Sequence, residues 1–160
     1  MTDAFNTRAF RDACGGFTTG VCVITTATAD GQVVGITANS FASISLDPAL
    51  VMWSPAKTSR RHDVFAEARH FAIHILAADQ RAVADGFVRE ANAFTGLTWD
   101  KSANGTPLID GCVTRFECDT HAAHDAGDHT IILGAVTAFT SAPIAPLVFA
   151  QGKYADLNQG

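Results

Sequence analysis

Three stretches of this chain carry side chains suited to binding or turning over a small molecule. The first is Gly35-Ile36-Thr37-Ala38-Asn39-Ser40-Phe41-Ala42-Ser43-Ile44-Ser45, with hydroxyl or amide groups at five of the nine positions from Thr37 to Ser45. Small and apolar residues lie between them, so backbone N–H groups and short polar side chains would run along a flat heteroaromatic ligand. An edge strand and turn, capped by its own hydroxyls, accounts for the same residues. The second is Ser54-Pro55-Ala56-Lys57-Thr58-Ser59-Arg60-Arg61, which holds the one dense basic cluster, Lys57, Arg60 and Arg61. That cluster is too small to grip a duplex and large enough for a phosphate. A helix beginning near Thr58 would add unpaired N–H groups to the Thr58 and Ser59 hydroxyls and the Lys57 cation, an anion site suited to a phosphomonoester. A capped surface helix with solvated basic residues is the plainer alternative.

The third stretch is His121-Ala122-Ala123-His124-Asp125-Ala126-Gly127-Asp128-His129, three imidazoles and two carboxylates in nine residues. On a helix, His121 and His124 would suit a metal. Gly127 and the strand-like flanks instead predict a β-turn, in which such ligands splay and Asp125 and Asp128 are turn formers; no metal is expected. His129 stands apart, because it opens the most apolar strand of the chain and would sit at a barrel rim. No Gly-x-Ser-x-Gly elbow is present, and nothing places a cysteine beside a base.

The elements that must position these groups are short. Val21 to Thr28 is β-branched, Asp30-Gly31 predicts a tight hairpin turn, and Val33 to Thr37 returns. Leu50 to Ser54 forms a third strand after Asp47-Pro48. A helix capped by Thr58 or Ser59 would bury Val64, Phe65 and Ala68. Phe71 to Leu76 is a strand, and Asp79 would cap a second helix with Val83, Phe87 and Val88 inward. Ala91 to Pro107 shows no period, with a turn at Asn104-Gly105-Thr106-Pro107. Val113 to Thr120 alternates, Ile131 to Phe139 reads as a central strand, and Leu147 to Ala150 adds another. About seven strands joined mostly by short turns predict a mainly β fold, a small barrel with helical insertions. Neither Gly-x-Gly-x-x-Gly nor a P-loop occurs, which argues against those nucleotide folds.

The 160 residues are one domain's worth, and no linker or repeat divides them, so 1–160 is expected to be a single unit. With 48% hydrophobic and 17% charged residues the chain is not disordered, and the apolar excess implies a surface covered by a partner or ligand. No stretch approaches the ~20 uncharged apolar residues of a membrane span. A net charge of −5 argues against nucleic acid. Cys14, Cys22, Cys112 and Cys118 lack Cys-x-x-Cys spacing, and the first residues lack a basic, apolar signal. Reduced thiols in a cytoplasmic protein are therefore expected.

Three motifs in order resemble the short-chain flavin reductase family: Gly20-Val21-Cys22-Val23-Ile24-Thr25-Thr26, then Gly35 to Pro48, then Gly127-Asp128-His129-Thr130-Ile131-Ile132-Leu133-Gly134 with Val136. The likeness runs from about Phe10 to Tyr154. It implies an FMN-binding split β-barrel working as a homodimer, with flavin (FMN or FAD) near the subunit interface and NADH or NADPH as reductant. Many members pass reduced flavin to a separate monooxygenase. Carried over by position, Thr37, Ala38, Asn39 and Ser40 would line the isoalloxazine and ribityl chain. Ser54, Ala56, Lys57, Thr58 and Ser59 would hold ribityl and phosphate. His129 would be catalytic, beside the ring where nicotinamide docks, and Tyr154 would be a substrate contact. The family often has two prolines where this chain has Pro48-Ala49, and this chain is more basic than many members at Lys57 to Arg61. On the same barrel, a non-enzymatic flavin or haem binder is the competing class, and the histidine-rich stretch leaves a metal-dependent hydrolase as a third.

Overall fold

The computed structural model describes residues 4–157. In chain order these form α1 (Thr7–Cys14), β1 (Thr19–Gly20), β2 (Cys22–Ala27), β3 (Val33–Ala38), β4 (Ala42–Leu46), β5 (Ala49–Trp53), α2 (His62–Glu67) and β6 (His70–Ile75). A 3-10 turn (Ala78–Gln80) leads into α3 (Arg81–Arg89), followed by β7 (Trp99–Lys101), β8 (Pro107–Ile109), β9 (Thr114–Ala126), β10 (His129–Ser141), β11 (Val148–Ala150) and β12 (Lys153–Ala155). The β-branched run builds β2 as expected. Its connection to β3 is longer than a two-residue turn, closed by Thr28 and Gln32 backbone bonds with Gly31 at φ 85°.

Seven strands form one antiparallel sheet in the order β3-β2-β6-β9-β10-β5-β4. Its two edges, β3 and β4, are consecutive in the chain. Four Cα steps from Ala38 to Ala42 span at most about 14 Å, whereas the edges of a flat sheet of this width stand about 29 Å apart. The sheet must therefore curl so that these edges approach each other. Register shifts at Leu133/Gly134 and Val136/Ala138 add twist along the longest pairing. At Gly134 a Cβ would lie 2.7 Å from the Phe71 ring, so only glycine admits this approach. Among the described residues β3 and β4 share no ladder, so the barrel is split along that seam.

Strand β2 is buried on both faces, and its alternation divides the core in two. Cys22 and Ile24 join Trp53, Phe65, Phe71, Ile73 and Ile132 inside the barrel. Val23 and the preceding Val21 join Leu76, Ala84, Phe87, Phe94, Ile109 and Leu147 beneath α3. Each buried Val, Leu, Ile or Phe among them contributes about 1.5–3 kcal/mol, and the Trp53–Phe65 pair meets edge to face at 5.1 Å. The fully buried His74 is paired at both ring nitrogens. His74 donates from Nδ1 to the Val23 carbonyl (2.9 Å) and accepts at Nε2 from the Ile109 N–H (3.0 Å), and burial lowers its pKa to about 4.

Several expectations need correction. Helix α2 starts at His62, because Ser59 N–H turns back to Ala56 O (3.0 Å) and Lys57 N–H goes to Asp128 O (2.8 Å). Neither Thr58 nor Ser59 caps it. Asp79 lies inside the 3-10 turn, Gln80 precedes α3, and Val88 is exposed while Ala84 is buried. Residues 121–126 continue β9 as a strand, leaving only Gly127 and Asp128 as the turn, with Gly127 at φ 67°. The aperiodic 91–107 stretch contains β7 and a turn leading to β8, and these two strands form a separate two-stranded sheet.

Candidate active site at the barrel seam

The seam gathers the three chemistry-bearing stretches. Ser40 follows β3, and its hydroxyl accepts from the Ser54 N–H (2.9 Å) and reaches the Ser54 carbonyl (3.2 Å). The first stretch is thereby fastened to the second just past β5. The second is fastened to the third by backbone: Ala56 bridges His129, Lys57 N–H donates to Asp128 O, and Thr130 N–H donates to Pro55 O (3.1 Å). Thr37 and Ser59 meet in a hollow of about 320 Å³ with Ile36, Arg60, Arg61 and Phe87. Ala38 ends β3 opposite Cys22. Thr58 is exposed in the loop.

Charges in the seam are already committed. The Lys57 ammonium contacts the Asp125 carboxylate, and Arg61 donates to the carbonyls of Gly35 (3.1 Å), Phe87 and Val88 (3.4 Å). Arg61 thus ties the loop after β5 across the seam to β3 and to the C-terminus of α3, where a cation is favoured. Burial lowers the Arg61 pKa. The next residue reaches the other way: His62 Nε2 lies 2.8 Å from Thr130 Oγ1, and its Nδ1 lies 2.8 Å from Asp63. These two residues escaped the sequence reading, in which Arg61 was one of three basic neighbours and His62 carried no signal.

His129 opens β10 with its side chain 44% exposed and Nδ1 2.7 Å from Asp128 Oδ1. That hydrogen bond, and then the imidazole's charge, hold the Asp128 carboxyl below its usual pKa. With Nδ1 engaged, Nε2 is the ring atom left for a ligand. Tyr154 stands in a three-stranded sheet, β1-β11-β12, and His129 in the seven-stranded one. The tyrosine lies on β12, edge-on to Phe149 (5.5 Å), with the Arg81 guanidinium 4.8 Å above its ring. Burial and the neighbouring Asp85 raise its pKa.

A flat ring system finds matching surroundings beside Asn39. Asn39 lines a cavity of about 760 Å³ with Phe17, Thr19, Phe149 and Gln151, and another of about 360 Å³ with Phe41 and Phe116. Thr19 lines both, and its buried hydroxyl has no partner among the described residues, a polar atom awaiting a ligand group. Aromatic walls with an orphaned hydroxyl, hydroxyls at the seam and one ammonium fit a flavin. A hollow of about 430 Å³ around Asp63, Glu67 and His70 contains none of the expected residues. Among the described residues no three His, Cys, Asp or Glu side chains converge as metal ligands.

The chain matches the flavin reductase like domain over residues 14–158. It is 53% identical over 149 residues to the FMN reductase (NADH) SmoA of Agrobacterium fabrum, covering 93% of this chain and 85% of that one. It is 51% identical over 154 residues to the reductase component of the flavin-dependent trigonelline monooxygenase of Acinetobacter baylyi, covering 95% of this chain but 50% of that protein, so it spans only half the relative's length. Among solved structures it superposes on the NADH:FAD oxidoreductase SgcE6 of Streptomyces globisporus C-1027, in complex with NAD and FAD fragments, with a TM-score of 0.91. That match has 33% identity and covers 99% of this chain and 97% of that one. The curled sheet, its seam and the order of its motifs agree with this likeness, and the chain belongs to the flavin reductase-like family, with its split β-barrel fold.

Proposed function

We propose that this chain is an NAD(P)H-dependent flavin reductase that passes reduced FMN or FAD to a separate monooxygenase. The observation that supports the reading is that Ser40 is bonded to Ser54 and Ala56 bridges His129, while Asn39, next to Ser40, lines two cavities with aromatic walls. Bound flavin supplies the hydride acceptor and bound nicotinamide the donor, so the protein needs no nucleophile. Its own residues bind, align and exclude water. Thr37, Ala38, Asn39 and Ser40 line the ring and ribityl chain. Ser54, Ala56, Lys57, Thr58 and Ser59 hold ribityl and phosphate through a loop rather than a helix N-terminus. His129 orients the nicotinamide through Nε2. Tyr154 is a substrate contact beside Phe149, which lines the same cavity as Asn39.

The same reading has the chain as a single flavin reductase-like unit, 1–160, in a cytoplasmic homodimer. Phe17 is 82% exposed and Leu46 97%, apolar surface that a second copy would cover. The four cysteines are free, and no described helix is long and apolar enough to cross a membrane. Sedimentation would report a dimer, and a stable monomer would contradict that part. The function is tested by following NADH oxidation with added FMN, FAD or riboflavin, with and without EDTA. Flavin-dependent, EDTA-insensitive oxidation is expected. A tightly held flavin without turnover would indicate a binder instead, and EDTA-sensitive hydrolysis a metal enzyme.

A further inference from the structure

We propose that Asp125 sets the flavin affinity of the seam by competing with the flavin phosphate for Lys57. The inference rests on the reading that Lys57 holds that phosphate. Asp125 is the second-last residue of β9, opposite Thr130 on β10, and its carboxylate contacts the Lys57 ammonium. The Asp128 carbonyl accepts from the Lys57 N–H at 2.8 Å, and the Lys57 charge also acts on the Asp128 carboxylate. The only ammonium in the loop is therefore already paired from the end of β9 before any ligand arrives.

A phosphomonoester carries about −1.5 to −2 charges at neutral pH. Beside Lys57 it meets an ammonium that still has donors to offer but already has a carboxylate against it. Asp125 must then swing away or remain and repel. Its side chain is 80% exposed, so the swing is open to it, and what is lost is one solvated ion pair. Exposed pairs of this kind alter an equilibrium by about 1.4- to 5-fold. The penalty falls on the phosphate alone. It suits a protein whose flavin must leave after each turnover.

The experiment uses the full chain and measures dissociation constants for FMN and, in parallel, riboflavin by flavin fluorescence. Asp125→Asn and Asp125→Ala are expected to bind FMN about two- to fivefold more tightly, with riboflavin unchanged. In a Lys57→Ala background, Asp125→Asn is expected to change nothing. A gain in affinity cannot come from misfolding, so these variants remain informative. Weaker FMN binding by Asp125→Asn would mean that Asp125 positions Lys57, and would overturn the proposal. An equal gain for riboflavin, or a gain that persists without Lys57, would overturn it too. If the wild-type protein binds FMN no better than riboflavin, the phosphate role of Lys57 fails first and this proposal falls with it.

Discussion

Replacing Arg61 with methionine tests how the seam is held. The guanidinium makes three bonds to carbonyls on two elements: Gly35 of β3 (3.1 Å), Phe87 of α3, and Val88 at a longer 3.4 Å. Charged hydrogen bonds contribute about 1.5–3 kcal/mol each, but this side chain is only partly buried and water would replace some of the loss. Two effective bonds, discounted by about half, predict a cost of about 1.5–3 kcal/mol and a Tm lower by about 3–12 °C. The loop carrying Lys57 and Ser59 would lose its anchor, raising the flavin KM about tenfold while kcat at saturating flavin stays within about twofold. Arg61→Lys keeps the charge but not the fork, so it should recover less than half of either effect. Urea unfolding and steady-state kinetics on the three proteins decide the matter. Wild-type stability and flavin KM in Arg61→Met, or full rescue by lysine, would refute the argument.

Other perturbations read out separate parts of the account. His74 has its folded pKa depressed from 6.5 to about 4, so the unfolded chain binds a proton that the native one refuses. Stability is fully present above pH 6.5 and falls by about 3 kcal/mol as pH drops to 4, and a pH series of urea midpoints should lose this slope in His74→Gln. Gly134→Ala forces a Cβ to within 2.7 Å of the Phe71 ring and 3.0 Å of Cys118 Cβ. It should cost about 1–3 kcal/mol, and unchanged stability would contradict the packing described at the bulge. His129→Ala should lower kcat/KM for NADH at least about tenfold with FMN affinity unchanged, as measured by stopped-flow flavin reduction.

The stretches that meet at the seam were legible as candidates because their groups are contiguous in the chain. Thr37 to Ser40, Ser54 to Ser59 and His129 were singled out as candidates by local composition together with the family resemblance, and the β2–β3 hairpin by its β-branched run. The start of α2 was not, because the Lys57 and Ser59 N–H groups find partners in the β9–β10 turn and in Ala56, which no local capping rule anticipates. Arg61 was read only as one of a basic cluster, for a phosphate or for solvent, because its partners, the backbone carbonyls of Gly35, Phe87 and Val88, lie 26 and 27 residues away in the chain and belong to no motif. The histidine-rich stretch was taken for a turn because Gly127 and Asp125 are turn formers, yet pairing with β10 extends the strand to Ala126. Asp125 acquires its meaning only through that register, which sets it beside Lys57.

The central claim is that the seam aligns a nicotinamide with a flavin for direct hydride transfer. Anaerobic mixing of the protein with NADH and excess FMN tests it most directly, following flavin bleaching against NADH consumed. One flavin reduced per NADH is expected, at a rate proportional to protein and abolished when either partner is omitted. NADH loss without flavin bleaching, or bleaching at the rate of the protein-free mixture, would contradict it.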